Sequence, residues 1–158
     1  MRIRTANRAD VDQLNTIAMQ AKAHWGYTAD QLEEWRYSLS IDPRSIEKWP
    51  TFVAEDQGKT IGFAQINPDL EVWELVSLFV LPAHIGRGIG RALLKEVVEA
   101  AKRAGESTLH IDSDPNAEPF YLACGAVRVG VERAPIQGHS ARVRPQLHLS
   151  TRLHAFSR

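Results

Sequence analysis

The chain has 158 residues, of which 44% are hydrophobic and 24% charged, a balance typical of one globular domain rather than of a disordered chain. Lysine plus arginine and aspartate plus glutamate each number 19, so the formal net charge is zero. Nucleic-acid-binding proteins usually carry a basic excess that neutralises phosphates. We therefore expect a single domain over residues 1–158 and no nucleic-acid partner.

The cysteine and histidine content bears on compartment and metal binding. Cys124 is the single cysteine, which fits a reducing compartment. The N-terminal residues lack the apolar core of a signal peptide, and no apolar run approaches the length of a membrane span. We expect a cytoplasmic protein with no membrane partner. The six histidines lack the spacing of a zinc site, so we expect no metal.

The first third of the chain predicts one strand and two helices. Met1–Thr5 alternates in polarity as a strand does. Asn7 is the predicted N-cap of the first helix, and Thr28 with Gln31 forms a capping box for the second. The predicted buried stripes are Val11, Leu14, Ile17, Ala18 and Ala21 in the first helix, and Leu32, Trp35 and Leu39 in the second.

The middle of the chain predicts three strands. Thr51–Glu55 and Thr60–Ile66 flank a short turn in which Gly58 occupies a position that needs positive φ. Glu71–Leu81 is the longest candidate, and its second half is almost continuously apolar. Such character predicts a central strand buried on both faces, which Pro82 ends.

The second half adds two helices and three strands. Arg91–Arg103 is a strongly amphipathic helix, and Thr108–Ile111 is a short strand. Asp114 is the predicted cap, and Pro115 the first residue, of a helix that ends near Gly125. The last predicted strands are Ala126–Glu132 and Gln146–Leu153, joined by a loop that contains Pro135, Gly138 and Pro145. This order predicts an α/β sandwich with a mixed sheet.

A glycine-rich turn lies between the long strand and the amphipathic helix. Gly86, Gly88 and Gly90 let the backbone approach a diphosphate, and a helix N-terminus binds anions through its unpaired N–H groups. Arg87 and Arg91 can add charge-assisted hydrogen bonds. The alternative is a tight turn that merely needs glycine; three glycines and two arginines in this context favour an anion site. The spacing matches neither a P-loop nor a Rossmann dinucleotide motif.

Two motifs make the sequence resemble the GCN5-related N-acetyltransferase superfamily over nearly the whole chain. The family's acetyl-CoA signature, [Gln/Arg]-x-x-Gly-x-[Gly/Ala], is matched by residues 85–90, with Ile85 in place of the usual Gln or Arg. A second family motif, Asn followed by Phe-Tyr and then Gly, reads here from Asn116 to Gly125. The resemblance implies a single-domain α/β fold, in which helices flank both faces of a mixed central sheet with splayed central strands.

The resemblance also implies acetyl-CoA as co-substrate. Its pantetheine arm would pair with the strand Glu71–Leu81, and the Val80 N–H would polarise the thioester carbonyl. Asn116 would either bond the pantetheine amides or only help to cap its helix. The residues that the resemblance assigns to acetyl-CoA are Leu78, Phe79, Val80, Ile85, Gly86, Arg87, Gly88, Ile89, Gly90, Arg91, Asn116 and Phe120.

Two side chains are candidates for proton transfer. Tyr121 occupies the family's general-acid position near the sulfur; packing in the core is the alternative. Glu74 stands six residues before Val80, and this even spacing predicts that both side chains share a face. Glu74 resembles the glutamate that acts as general base in some members, whereas its alternative is a strand-end glutamate in solvent.

The resemblance therefore implies an N-acetyltransferase that moves an acetyl group from acetyl-CoA to a primary amine of a small molecule or peptide, by direct transfer in a ternary complex. A non-catalytic CoA-binding sensor is the alternative, since it would share the same CoA motifs. His24, Trp25 and Tyr27 are candidates for an acceptor wall, although such aromatics also close helix–helix corners. A homodimer is a further expectation from the family.

Overall fold

The computed structural model describes residues 1–152, which form one seven-stranded mixed sheet. The strands are β1 (Arg2–Thr5), β2 (Thr51–Asp56), β3 (Lys59–Asn67), β4 (Trp73–Val80), β5 (Thr108–Asp112), β6 (Val127–Arg133) and β7 (Val143–Ser150). Their order across the sheet is β1-β2-β3-β4-β5-β7-β6. Pairing is antiparallel except between β4 and β5, which are parallel.

Five α-helices connect these strands. They are α1 (Val11–His24), α2 (Ala29–Leu39), α3 (Ser45–Lys48), α4 (Ile89–Arg103) and α5 (Glu118–Ala123), with 3₁₀ turns at Arg8–Asp10 and Pro82–His84. The predicted cap at Thr28 is confirmed, because its side chain accepts a backbone N–H bond within a capping box. Asn7 forms a capping box too, but it caps the 3₁₀ turn that runs into α1, and Asp10 is the N-cap residue of α1 itself. The four-residue helix α3 was not predicted, since it is too short to show helical periodicity.

Helices cover both faces of the sheet, as the sequence predicted. On one face, Leu93, Leu94 and Val97 of α4 pack into a core with sheet residues such as Leu109 and Leu147. On the other face, α1 contributes a second buried cluster. The main α1 and sheet residues of that second cluster are Val11, Leu14, Ile17, Ala18, Val53 and Phe63. In residues 1–152, no helix has the length and apolar character needed to cross a membrane.

The two central strands splay apart, which confirms the predicted opening in the sheet. Residues 73–75 of β4 pair with residues 109–111 of β5. Beyond that short ladder, β4 runs on to Val80, whereas β5 ends at Asp112. The last residues of β4 therefore have a sheet partner in β3 and an open gap on the side of β5.

The prediction that the long strand is buried on both faces is wrong. Leu75 and Ser77 are buried, but most other β4 side chains are only half-buried and Val76 is 43% exposed. A bulge explains part of this difference, because Gln65 pairs with Ser77 and its neighbour Ile66 pairs with Leu75. Val76 is thus the extra residue of β4 and points away from regular packing.

Two predicted boundaries in the second half need correction. The helix that was expected to begin at Pro115 begins at Glu118, so Asp114 and Asn116 lie in the preceding turn. Side-chain bonds hold Asp114 in that turn, as described below. Pro145 belongs to β7 rather than to the loop before it, and its C=O accepts the Ser113 N–H at 2.9 Å. Leu153, the predicted end of the last strand, lies outside the described residues.

The predicted apolar stripe of the second helix is only half-buried. Gln31 is the buried residue of α2, while Leu32, Trp35 and Leu39 are partly exposed. This helix packs mainly against α1 instead of lying on the sheet. A helix that packs on one neighbouring helix buries a narrower stripe than one that lies on a sheet, which accounts for the difference.

Candidate functional site

The glycine-rich turn has the backbone geometry that its glycines suggested. Gly86 and Gly88 have φ values of +83° and +80°, in the left-handed region that favours glycine. Gly88 is also the N-cap residue of α4 and supplies no side-chain cap. The space where a Cβ would stand at either glycine is open to 4 Å. The turn therefore presents backbone at the start of a 15-residue helix, the arrangement that binds anions in proteins.

The other residues of this turn differ in whether their side chains are exposed to solvent. Ile89 is buried in the core, so only its backbone faces the turn. Ile85 is 49% exposed and Arg87 is exposed, with its Nη1 atom 3.5 Å from His84 Nδ1. Arg91 is half-buried in the first turn of α4. Exposed side chains and accessible backbone thus lie together at this end of the sheet.

Gly90 and Phe120 bring α4 and α5 close together. A Cβ on Gly90 would lie 3.4 Å from the Phe120 ring and 3.8 Å from Val80 Cγ2. Glycine therefore allows the first turn of α4 to approach both the end of β4 and the start of α5. The structure in this way brings together the two motifs that the sequence analysis selected.

The end of β4 directs backbone polar groups into the gap between β4 and β5. The Leu81 N–H donates to Ile61 O of β3 at 2.8 Å. Backbone groups alternate in direction along an extended strand, so Val80 and Leu78 direct theirs away from β3. Phe79, by contrast, faces the α1 side and packs its ring on Phe63, with the ring centroids 5.8 Å apart.

Tyr121 lies in α5 and is 7% exposed. Its ring contacts that of Phe120, with the centroids 5.2 Å apart. Burial raises the pKa of Tyr121 above its ordinary value, and the nearby Cys124 and Asp114 raise it further. The hydroxyl consequently keeps its proton at neutral pH, which a proton donor requires.

Glu74 and Val80 lie on opposite faces of the sheet, so the predicted shared face is wrong. Trp73 and Leu75 pack on the α4 side, which directs Glu74 to the other face. Val80 also packs on the α4 side. The bulge at Val76 shifts the alternation by one residue and separates the two side chains.

The environment of Glu74 favours its protonated form more than water does. Its side chain is half-buried, and this desolvation raises the pKa of the carboxyl. His110 opposes the shift and Asp112 adds to it. A carboxylate with a raised pKa can accept a proton near neutral pH.

Sequence reasoning missed a polar network beside Glu74. His110 is the cross-strand partner of Glu74 on β5, and its Nε2 atom lies 2.9 Å from Gln146 Oε1. Gln146 Nε2 donates to Asp112 Oδ1 at 3.0 Å, and Arg144 Nε donates to the same oxygen at 2.8 Å. The sequence did contain one signal for this network. Side chains alternate between the two faces of β5, so His110 must lie on the opposite face from the buried Leu109 and Ile111.

A second network joins three loops around Asp114. Its Oδ2 atom accepts Lys22 Nζ at 2.5 Å and the Tyr27 hydroxyl at 2.8 Å. The Tyr27 oxygen in turn accepts Asn116 Nδ2 and Arg142 Nη2, each at 3.2 Å. Burial raises the pKa of Asp114, but the Lys22 ion pair and the hydrogen bonds outweigh it, so the pKa lies below its usual value.

This network decides the positions of several predicted residues. Tyr27 is held by hydrogen bonds, and its ring lies 4.7 Å from that of Trp35 between centroids. His24 and Trp25 are exposed at the end of α1. The amide of Asn116 is directed to Tyr27 and Asp114, whereas the sequence pattern predicts either a ligand contact or a helix cap.

Cys124 is fully buried and free. Burial raises the pKa of its thiol, although the charge of Arg91 acts in the opposite direction. Such a thiol stays protonated and is a poor nucleophile. Among residues 1–152, no group of three or more His, Cys, Asp or Glu side chains could hold a metal ion.

Comparisons with known proteins agree with this geometry. The model of the acetyltransferase (GNAT) family matches residues 13–126. The chain is 27% identical over 125 residues to the L-methionine sulfoximine/L-methionine sulfone acetyltransferase of Salmonella typhimurium, a match that covers 69% of this chain and 68% of that protein.

Two solved structures share the fold. A GCN5-related N-acetyltransferase from Rhodopseudomonas palustris superposes with a TM-score of 0.78 at 23% identity and covers 94% of both chains. The PaiA N-acetyltransferase of Thermoplasma acidophilum, solved in complex with coenzyme A, has a TM-score of 0.73 at 19% identity, over 94% of this chain and 98% of that one.

Proposed function

The chain belongs to the acetyltransferase (GNAT) family and is an acetyl-CoA-dependent N-acetyltransferase, and we propose that it transfers the acetyl group directly to a primary amine of a small molecule or peptide. The observation that carries this proposal is the open gap between β4 and β5, which begins just beyond the short ladder in which Glu74 pairs with His110. Direct transfer in a ternary complex needs no enzyme nucleophile, and the buried thiol of Cys124 is unsuited to be one.

The donor would bind along the gap and the glycine-rich turn. Val80 and Leu78 offer backbone groups to the pantetheine arm, as an added strand would use them. Gly86 and Gly88 offer accessible backbone to the diphosphate, and Arg87 adds positive charge. When bound, acetyl-CoA supplies the activated acetyl thioester.

Arg91 would add positive charge as Arg87 does, and the other remaining donor residues would act through backbone or apolar contact. Ile85 is exposed beside the turn, and Ile89 and Arg91 belong to the first turn of α4. Phe120 lies against Gly90 and would border the arm, while Phe79 would contribute only backbone, because its ring faces α1. In this proposal, Asn116 orients Tyr27 and Asp114 rather than contacting the donor.

Two side chains would move the protons of the transfer. Tyr121 donates a proton to the departing sulfur, and its neutral form is the one that burial maintains. Glu74 accepts a proton from the amine, for which its raised pKa is suited. The N–H of Val80 stabilises the negative charge that develops on the carbonyl oxygen.

The acceptor would enter between the α1–α2 loop and the loop before β7. Gln31 Nε2 donates to Gln137 O at 3.2 Å, and Arg142 reaches Tyr27, so these loops are held beside each other. A relative at 27% identity is named for amino-acid analogues, which supports an amino-acid-like amine. A cytoplasmic location is part of this proposal, because the single free cysteine suits a reducing compartment.

A second copy of the chain is the partner that we propose for the sheet edge. Val127, Val129 and Val131 of the edge strand β6 are all more than half exposed. A bulge at Val129 interrupts the regular alternation of β6, so we propose that a second copy covers these valines as one apolar patch at the sheet edge.

Light scattering after size-exclusion chromatography tests the dimer. The native protein should have twice the chain mass, and Val131→Lys should have the mass of one chain, because two lysines would face the valines. Val72→Lys, at a 38% exposed valine outside β6, is the control and should remain a dimer. A monomeric native protein would refute this part of the proposal.

The function is tested by acceptor-dependent release of CoA thiol. Acetyl-CoA is incubated with a panel of amines, amino acids and short peptides, and calorimetry measures its binding in parallel. If acetyl-CoA binds and one class of amine stimulates release of CoA thiol, that class is the acceptor. Binding without release from any acceptor would favour a sensor of CoA, and absence of binding would contradict the donor site.

A further inference from the structure

The network beside Glu74 determines which nitrogen of His110 carries the proton. Gln146 directs one end of its amide to the Asp112 carboxylate at 3.0 Å and to Arg144 O at 3.3 Å. Both of those groups can only accept hydrogen bonds, so this end must be the NH₂ group. The carbonyl Oε1 of Gln146 therefore faces His110 Nε2 at 2.9 Å. Because Oε1 can only accept, His110 Nε2 must carry a proton.

The neutral imidazole then has its lone pair on Nδ1. Strand β5 lies between β4 and β7 in the sheet. The Nε2–H of His110 is occupied by Gln146 on β7, so Nδ1 is the ring nitrogen that can accept a proton. Glu74 of β4 is the cross-strand partner of His110 on the other side, so the two side chains are neighbours on one face of the sheet.

Around His110, carboxylate groups outnumber positively charged groups. Asp112 of β5 and Arg144 of β7 form an ion pair at 2.8 Å. Glu132 of β6 lies 3.7 Å from the same guanidinium group. His148 of β7 contacts the His110 ring, with the centroids 5.3 Å apart. Glu74 of β4 has no ion-pair partner among residues 1–152. An ammonium group would be attracted to this face.

We propose that His110 is a second proton acceptor in the transfer, beside Glu74. This inference rests on the proposed function. An acceptor that arrives as an ammonium ion must lose one proton before its nitrogen attacks and another after the new bond has formed. His110 Nδ1 takes the first, and the Glu74 carboxylate takes the second.

The reaction balances with these groups. The nitrogen lone pair forms a bond to the acetyl carbonyl carbon, the carbon–sulfur bond breaks, and its electron pair leaves on sulfur. Tyr121 protonates the sulfur. Of the two protons taken from nitrogen, one restores Tyr121 and the other is released to water.

The pH dependence of kcat at saturating substrates tests the proposal. In the native protein both bases must be unprotonated, so log kcat should fall at low pH with a limiting slope of two. His110→Gln places an amide NH₂ where Nε2 stands and so keeps a donor for Gln146 Oε1, but it cannot take up a proton. It should lower the maximal kcat by roughly 100-fold, the usual contribution of a general base, and reduce the slope to one. His148→Gln removes a similarly half-buried histidine of the same face and should retain the slope of two.

A measurement that needs no acceptor tests the tautomer. Two-bond ¹H–¹⁵N correlation spectra of the imidazoles should show neutral His110 as the Nε2–H form in the native protein. Gln146→Leu should convert it to a mixture of tautomers. An Nδ1–H form in the native protein, or native kcat and slope in a folded His110→Gln, would overturn the proposal. If the native protein transfers acetyl to no acceptor, the proposed function fails, and the spectra still decide the assignment of His110.

Discussion

Lys22 Nζ and Asp114 Oδ2 lie 2.5 Å apart although 92 positions separate the two residues in the chain. Their side chains are only 13% and 8% exposed. This ion pair fastens the end of α1 to the turn that follows β5. The turn leads into α5, so the pair links α1 to the helix that carries Tyr121.

Asp114→Asn should destabilise the protein, because Lys22 would keep its charge while losing its buried partner. Breaking a buried ion pair typically costs about 3 kcal/mol, which chemical denaturation would measure as a lower free energy of unfolding. Asp42→Asn is the control, since Asp42 pairs with Arg44 in solvent and its side chain is 51% exposed. An equal loss of stability in both variants would contradict a special role for the buried pair.

The contribution of Asp114 should also depend on pH. Its pKa is lowered in the folded protein, so folding favours the charged form. The stabilisation is complete above the pKa of an unfolded aspartate, about 3.9, and is lost as pH falls through the lower folded value. The difference in unfolding free energy between native protein and Asp114→Asn should therefore shrink below roughly pH 4.

Tyr121→Phe should lower kcat by roughly 100-fold and leave the Kd for acetyl-CoA nearly unchanged. The substitution removes the hydroxyl that would protonate sulfur but keeps the ring that packs on Phe120. Steady-state kinetics and calorimetry give the two values. Tyr37→Phe, at a tyrosine that is 93% exposed, should behave as the native protein does. Unchanged turnover in Tyr121→Phe would remove Tyr121 as the acid.

Glu74→Gln should lower kcat, and the loss relative to the native protein should be largest at pH values above the pKa of Glu74. In the proposed mechanism the active form of Glu74 is the carboxylate. Because its pKa is raised, native kcat should fall as pH drops through that raised value. The variant lacks this base at every pH, and the ratio of native to variant rate should therefore be largest at higher pH and decline in acid. Glu71→Gln, at an exposed residue just before β4, is the matched control. A ratio that does not change with pH would indicate a positioning role.

Gly88→Ala and Gly58→Ala separate backbone strain from ligand binding. The two glycines have φ values of +80° and +76°, with open space around both. Each substitution should cost about 1 kcal/mol in unfolding free energy, because alanine is strained in the left-handed region. The Kd for acetyl-CoA should rise only in Gly88→Ala, since Gly58 lies in the hairpin turn between β2 and β3. Equal affinities in the two variants would contradict the diphosphate site.

Local features of the sequence determined the fold class, the family and the glycine-rich turn. Capping at Asn7 and Thr28 and positive φ at Gly58 and Gly88 depend on neighbouring residues alone. For that reason a short stretch of sequence suffices to predict them. The donor and catalytic roles of the named residues remain predictions, although the structure brings Gly90, Phe120 and Val80 together.

Only the tertiary structure decided which side chains face each other across the site. The bulge at Val76 moved Glu74 and Val80 to opposite faces, and pairing with β3 creates that bulge. Likewise, His110 Nε2 faces Gln146 Oε1 on β7, and Asp114 is held by Lys22 of α1. Strand register and contacts between distant segments depend on how the whole chain packs, so spacing along one segment could not have predicted them.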